Sequence, residues 1–361
     1  MNIGLIVYGP IDTLTGGYLY DRRLVEYLRT NGHRVDIFSL PNRTYALRLL
    51  DNFSQKLWNR ISGLDLDVLL QDELCHPSLL YRYGQRSKWV GPPAIAIVHH
   101  LMSEEPRPKT SQFFLRLIEK RYLDSVDGFI FNSRTTLENV VRISRHPRPC
   151  VVAPPGANRL GGRMTAAEVD ERAQRQGPLR LLYVGLVIPR KGLFELIEAL
   201  RRVPVDRWRL EIVGCLTMAP GYVRRIQRYI RVHHLTSTVR FHGSISNEAL
   251  AAEYAAAHLL CMPYAYEGFG IVAAEAMSMG LPVLGSKNGA IGKLVKHGVT
   301  GLLFSPNEAL AIAAAVSEMY SDRPYLSRMS LAALKDSGTF PTWKQSMQRV
   351  ELFLDNFRLQ T

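Results

Sequence analysis

The chain has 361 residues, 47% of them apolar and 9% aromatic, with a formal net charge of +13. That length exceeds one ordinary hydrophobic core, so two domains are expected. No apolar run approaches the roughly 20 residues that cross a bilayer, and Ile3 to Val7 is too short and wrongly flanked for a secretory leader, so a cytoplasmic location is expected.

The basic surplus favours polyanionic partners such as nucleotide diphosphates or anionic lipid head groups. It is spread over both halves, and no nucleic-acid-binding motif accompanies it, so no nucleic acid is expected. Cys75, Cys150, Cys215 and Cys261 are scattered in apolar neighbourhoods without paired spacing. They read as reduced core cysteines and not as a metal or disulfide framework.

Asn2 to Tyr8 has the continuous apolar character of a buried parallel strand. A helical pattern follows through Tyr20, Leu24, Tyr27 and Leu28, closed by Asn31-Gly32, and His33 to Leu40 is the next strand. This strand–helix–strand opening predicts a doubly wound α/β domain. Gly16-Gly17 falls where the first strand meets its helix, at the carboxyl edge where such folds bind ligands. It is not the full Gly-x-Gly-x-x-Gly fingerprint, so no nicotinamide or flavin site is assigned.

Residues 43–61 form an expected amphipathic helix, with Tyr45, Leu49, Leu50, Phe53, Leu57 and Ile61 among basic residues; 112–123 is a second, carrying Phe113, Phe114, Leu117 and Ile118. Two readings stand for both: a packed helix with a solvated basic face, or contact with an anionic membrane surface, which would put the protein at the inner face of the membrane. Asp65-Leu-Asp67 abuts the strand Val68 to Leu70 and reads as strand-entry carboxylates, with no metal assigned. Ala94 to Val98 is a buried strand ending in His99-His100, and Phe129 to Ser133 is a strand running into a helix cap. Val151 to Gly156 closes a first domain of residues 1–156.

Residues 157–178 read as a linker and insertion, and the second domain is placed at 157–340. Its alternation runs strand Leu179 to Gly185, helix Gly192 to Leu200, strand Trp208 to Gly214, a basic helix Tyr222 to His233, strand Val239 to His242, helix Asn247 to Ala257 and strand His258 to Met262. Between the first strand and helix stand Arg190, Lys191 and Gly192. A basic turn at a helix start offers cations and N–H groups to a diphosphate, although Arg-Lys alone would read as a solvated turn. After Met262 comes Tyr264-Ala-Tyr-Glu267-Gly268-Phe269-Gly270-Ile271, which passes through two glycines into an Ala- and Met-rich helix around Glu275. The glycines allow close backbone approach, and the helix N-terminus favours an anion.

Glu267, seven intervening residues and Glu275, with Gly-Phe-Gly between them and then Leu281-Pro-Val-Leu and Asn288-Gly-Ala, resemble the signature of the family-4 retaining, nucleotide-sugar-dependent glycosyltransferases. The resemblance implies a GT-B architecture, two Rossmann-like domains facing each other across a cleft, with the last helix (341–361) crossing back onto the first domain. It implies that Glu267 contacts the transferred sugar, Glu275 the nucleotide ribose, and His99 the sugar near its reacting carbon; Asn132-Ser133 also resembles the family there. Arg190 and Lys191 would neutralise the diphosphate, and Gly16, Gly17, Gly268, Phe269, Gly270 and Ile271 would line the nucleotide-sugar site. Leu186 stands where the family carries an Arg.

The expected reaction moves a sugar from a UDP- or GDP-linked donor to a hydroxyl of a glycolipid, polysaccharide or small-molecule glycoside, with retention and without metal or other cofactor. Two other readings remain at this stage: a glycoside hydrolase using the two glutamates, and a non-transferase GT-B protein, either a nucleotide-sugar epimerase or a binding module.

Overall fold

The computed structural model describes residues 1–54, 59, 63–84 (backbone alone at 81–84), 91–144, 147–162, 164–305 and 308–359. The chain divides into two compact units, one formed by Met1–Pro155 with Trp343–Thr361, the other by Gly156–Thr342.

The first unit is built on β1 (Asn2–Tyr8), β2 (Arg34–Leu40), β3 (Val68–Asp72), β4 (Ala94–Val98), β5 (Gly128–Phe131) and β6 (Cys150–Val152), paired in parallel in the order β2-β1-β3-β4-β5-β6. Every residue of β3, β4 and β5 is buried, because helices cover both faces of a parallel sheet and leave no room for polar alternation. Thr15 caps the helix Gly16–Thr30 by accepting a bond from the Tyr18 N–H, and Ser133 caps Arg134–Ile143.

The helix Trp343–Arg358 is part of this unit. It buries Trp343, Met347, Val350, Leu354 and Phe357, and its Glu351 accepts the Tyr27 hydroxyl at 3.0 Å and lies 3.0 Å from His33 Nε2. Arg358 reaches Asp67 at 3.3 Å, and Asp67 also accepts the Asn2 N–H at 2.7 Å. Asp67 thus ties the strand entry to the chain's last helix.

The second unit has β7 (Leu179–Val184), β8 (Trp208–Val213), β9 (Val239–Gly243), β10 (Leu259–Met262), β11 (Val283–Ser286) and β12 (Gly301–Phe304), again all parallel, in the order β12-β11-β10-β7-β8-β9. This is the strand order of a dinucleotide-binding fold, and its direction reverses between β7 and β10. Ligands in open α/β sheets bind outside the carboxyl ends of the strands at that point.

Three expectations are corrected. Over its described part the continuous helix expected at 43–61 is replaced by one short α-turn, Tyr45–Arg48, and a 3₁₀ turn, Leu49–Phe53; residues 55–58, 60 and 61 of that expected helix lie outside the described residues. The cause lies in two polar side chains that turn inward. Asn52 donates to the carbonyls of Leu49 and Pro77, and Asp51 pairs with Arg43 and accepts the Ser78 hydroxyl, so side-chain bonds compete with continuation of the helix.

Residues 157–178 are not all linker. Ala166–Gln174 is a helix opened by a reciprocal Thr165–Glu168 capping box, and Arg172 donates to the carbonyls of Met279 and Gly280. Of the four cysteines only Cys75 and Cys261 are core residues; Cys150 is exposed at the start of the edge strand β6, and Cys215, just beyond β8, is partly exposed.

Candidate active site

The loops leaving β7 and β10 are stitched together at the switch point of the second sheet. Tyr264, buried just beyond β10, donates its hydroxyl to Val184 O at the end of β7, and Ala265 N–H donates to Arg190 O at 3.2 Å. Lys191 Nζ then meets Glu267 Oε2 at 2.6 Å and sits 3.8 Å above the Tyr264 ring. The loop after β11 joins the same knot, since Ala290 N–H donates to Glu267 O at 2.9 Å and Asn288 Nδ2 to Ala265 O at 3.2 Å. Arg190, in the same 3₁₀ turn as Lys191, is exposed.

Gly270 caps the helix Ile271–Ser278 with φ +93, and a Cβ there would lie 2.3 Å from Ile291 Cδ1. The left-handed backbone favours glycine, and a side chain there would also displace the Ile291 methyl. The first bonds of the helix come from Ala273 and Ala274 N–H, both to Gly270 O. The N–H groups of Ile271 and Val272 therefore make no bond within the helix, and with the peptide dipole they form an anion-favouring end. Gly268 is buried and Phe269 half-buried in the turn that leads there.

Glu275 lies one turn further on and is 1% exposed. Arg159 grips it with two bonds, Nε to Oε1 at 2.7 Å and Nη2 to Oε2 at 3.0 Å, and Tyr254 OH is 3.3 Å from Oε2. Sequence reasoning missed this partner: 116 residues separate it from Glu275, in a stretch read as linker, and no local pattern links the two. Both oxygens already accept hydrogen bonds and are screened from solvent, a setting that suits a ligand-holding carboxylate better than an acid or base at a glycosidic bond. A carboxylate has about four lone-pair directions, which leaves capacity for further hydroxyl donors.

In the first unit, Gly16 and Gly17 open the first helix beside His99, which follows β4. A Cβ on Gly17 would come within 3.1 Å of His99 Cδ2. His99 is buried, its Nε2 is 3.0 Å from Asp21 Oδ1, its ring meets Tyr20 edge-on at 5.4 Å, and its carbonyl accepts Asn132 Nδ2 at 2.9 Å. Burial by itself would depress the imidazole; the charge and hydrogen bond of Asp21, with Asp72 and Glu73 behind, outweigh it and push His99 up to about 9. Asp21 was not singled out from sequence; it stands one turn after Gly17 on the same helix, and 78 residues separate it from His99, so no local pattern links the two. His100 turns elsewhere, to Glu105 at 3.2 Å.

The sequence-predicted residues thus form two groups, Gly16, Gly17 and His99 in the first unit, and Arg190, Lys191, Glu267, Gly268, Phe269, Gly270, Ile271 and Glu275 in the second. Two family models match in succession: "Glycosyltransferase Family 4" over residues 19–159 and "Glycosyl transferases group 1" over residues 166–336.

The chain belongs to the family-4 glycosyltransferases.

The chain is 28% identical over 246 residues to the D-inositol 3-phosphate glycosyltransferase of Corynebacterium diphtheriae, a match covering 65% of this chain and 57% of that one. The chain thus spans rather less than two thirds of this curated relative. Among solved structures it is similar over its whole length to the sucrose-phosphate synthase of Thermosynechococcus elongatus, with a TM-score of 0.83, 22% identity and full coverage of both chains. It is similar also to Anabaena HepE in complex with UDP and glucose, with a TM-score of 0.75 and 18% identity over 98% of this chain and 99% of that one. At these identities the structural likeness speaks for the fold, a two-domain Rossmann-like GT-B architecture.

Proposed function

We propose that the protein transfers a sugar from a nucleoside diphosphate sugar to an acceptor hydroxyl with retention at the anomeric carbon. The observation that carries this reading is the knot at the β7–β10 switch point, where Lys191, Glu267 and the N-terminus of the Ile271–Ser278 helix converge. Arg190 and Lys191 neutralise the diphosphate, and the open N–H groups at Ile271 and Val272 bind its oxygens or those of the sugar. Glu267 orients the sugar ring and Glu275 accepts ribose hydroxyls while Arg159 holds it in place. As the glycosidic bond breaks, negative charge gathers on the leaving diphosphate, and preorganised cations and N–H groups stabilise it without rearranging. These groups supply the charge, so the proposed transfer is metal-independent.

The departing phosphate takes the acceptor proton, with attack on the face it leaves. Gly16, Gly17 and His99 serve the acceptor side and the reacting carbon. UDP-linked sugars are the first candidates, because HepE has been solved with UDP and with UDP-glucose; GDP-linked sugars are the second.

The deciding experiment incubates the purified protein with a panel of UDP- and GDP-sugars and hydroxyl acceptors, with EDTA present, and measures nucleoside diphosphate release and product anomeric configuration. Acceptor-dependent release with retention is expected. Tight nucleotide-sugar binding without turnover across the panel would instead identify a binding module, and hydrolysis of a glycoside with no nucleotide requirement would sink the transferase reading.

We also propose an anionic membrane surface as a partner of the first unit. One observation favours it over simple packing: Phe113, Phe114 and Leu117 are 57–66% exposed on a helix that carries Lys109, Arg116, Lys120 and Arg121, while Leu115, Glu119 and Tyr122 face inward. Leu47, Leu50 and Phe53 are likewise exposed. Among the described residues no helix is long and apolar enough to cross a membrane, so the contact would be peripheral. Sedimentation with anionic liposomes at low salt, lost at high salt and in Phe113→Ser/Phe114→Ser, is expected; no sedimentation at low salt removes the membrane from the proposal.

A further inference from the structure

Beneath the exposed face of the helix Lys109–Leu123 lies a buried cluster that sugar transfer does not use. The chain leaves β3 through Asp72 and Glu73, turns at Cys75 and starts the helix His76–Gly84. Glu73, His76 and Glu119 all have zero exposure. His76 Nδ1 lies 3.1 Å from Glu73 Oε1, and one ligand atom from each of Glu73, His76 and Glu119 lies within 4.8 Å of the other two. Neither Glu73 oxygen accepts a hydrogen bond among the described residues. No Lys or Arg pairs with Glu73, Glu119 or Asp72 among those residues either; the cationic imidazole of His99 favours the charged form of Glu73 through its field, but its hydrogen bond goes to Asp21.

A buried carboxylate with neither a hydrogen bond nor a counter-charge is costly. Two remedies exist: protonation or a bound cation. In the absence of a cation, burial and Asp72 push Glu73 well above the usual carboxylate range, and burial with Glu73 pushes Glu119 up to about 7. A protonated Glu73 would have one acceptor in reach, His76 Nδ1 at 3.1 Å from its Oε1, so the choice between the two remedies falls to the residues around the cluster. They are arranged like the outer shell of a metal site. Tyr45 OH is 2.9 Å from His76 Nε2 and would take its proton, leaving Nδ1 free to ligate. Ser103 N–H and its hydroxyl hold the Glu119 carboxylate. Nδ1 is now 3.0 Å from Glu73 O and would give up that contact.

We infer that Glu73, His76 and Glu119 form a divalent-cation site that fastens the end of β3 to the helix Lys109–Leu123. Two carboxylates and one imidazole suit Zn²⁺ or Mn²⁺ and fit less well the all-oxygen preference of Ca²⁺ and Mg²⁺. Ligand bonds of roughly 2.0–2.2 Å place the three atoms about 3–4 Å apart; the His76–Glu73 separation of 3.1 Å already has that value, and Glu119, within 4.8 Å of both, would close onto the ion. Because the cluster is closed to solvent, the ion enters as the chain folds, and its binding free energy adds to folding.

The test begins with elemental analysis of the full chain expressed with Zn²⁺ and Mn²⁺ supplied. A near-stoichiometric content of one of them is expected, falling at least tenfold in Glu119→Gln and in Glu73→Gln but unchanged in Glu171→Gln, which alters an exposed carboxylate in the other unit. The wild-type chain, unfolded in guanidinium with EDTA, should refold to a melting temperature several degrees higher when Zn²⁺ or Mn²⁺ replaces EDTA. Substoichiometric metal in the wild-type chain, together with a melting temperature indifferent to both ions on refolding, overturns the inference and leaves a cluster of protonated acids. The wild-type readings decide the matter even where a variant fails to fold.

Discussion

Lys191 is 12% exposed at its side chain and rests between a carboxylate and an aromatic face, a setting that fixes its ammonium as a point charge at the switch point. Removing one preorganised charge-stabilising donor costs roughly 2.7–4 kcal/mol of barrier. Lys191→Ala is therefore expected to lower kcat about 10²- to 10³-fold, and near-normal turnover in the nucleotide-release assay would put the diphosphate elsewhere.

His99 offers a pH test. Its folded pKa, about 9, is raised above the ordinary imidazole value near 6.5. The stabilisation from the Asp21–His99 pair is thus fully present below about pH 6.5 and is lost as pH rises through about 9. In Asp21→Asn burial acts unopposed by that charge, so the His99 imidazole should titrate below the ordinary value by NMR, and the loss of stability between pH 6.5 and 9 should vanish. An unshifted titration would assign the holding of the proton to Asp72 or Glu73. At this scale the residue types of the site were legible from Glu267 to Glu275, where glycine and carboxylate spacing is local. Arg159 and Tyr254 were not, since each reaches Glu275 only through the folded chain.

At the scale of elements, strands were easy to read because burial on both faces makes a parallel strand continuously apolar. Helices were misread in two places for opposite reasons. At 43–53 a good amphipathic pattern was overridden by Asp51 and Asn52, whose inward bonds end the helix at a 3₁₀ turn. At 166–174 a helix was missed although Thr165-Ala-Ala-Glu168 is a capping box written in the sequence.

The segment just before that helix carries Arg159, and its contribution can be measured. Breaking a buried ion pair by removing one partner costs about 3–5 kcal/mol, so Arg159→Ala should lower the stability of the second unit by about that much. It should also weaken nucleotide affinity by calorimetry, as Glu275 loses its orientation. A variant that keeps wild-type affinity while losing stability would confine Arg159 to a structural role.

At the scale of the whole molecule, each unit has its own sheet, but the first is completed by the chain's last helix. Trp343, Met347, Val350, Leu354 and Phe357 bury their side chains in it, and Glu351 and Arg358 bond to Tyr27 and Asp67. Deletion of residues 343–361 is therefore expected to lower the melting of the first unit selectively, with the second unit's transition retained in calorimetry. Equal loss in both would show that the units melt as one.

The sequence by itself determined the α/β alternation, the glycine-framed turns and the local order of Glu267, Gly268, Gly270 and Glu275, because hydrophobic period and backbone freedom are properties of neighbouring residues. Tertiary structure alone decided the strand orders, hence the switch point that brings Lys191 to Glu267. It also decided which partners hold Glu275 and His99, and the gathering of Glu73, His76 and Glu119. These depend on contacts between residues distant in sequence, and periodicity within a segment carries no information about which distant segment will pack against it.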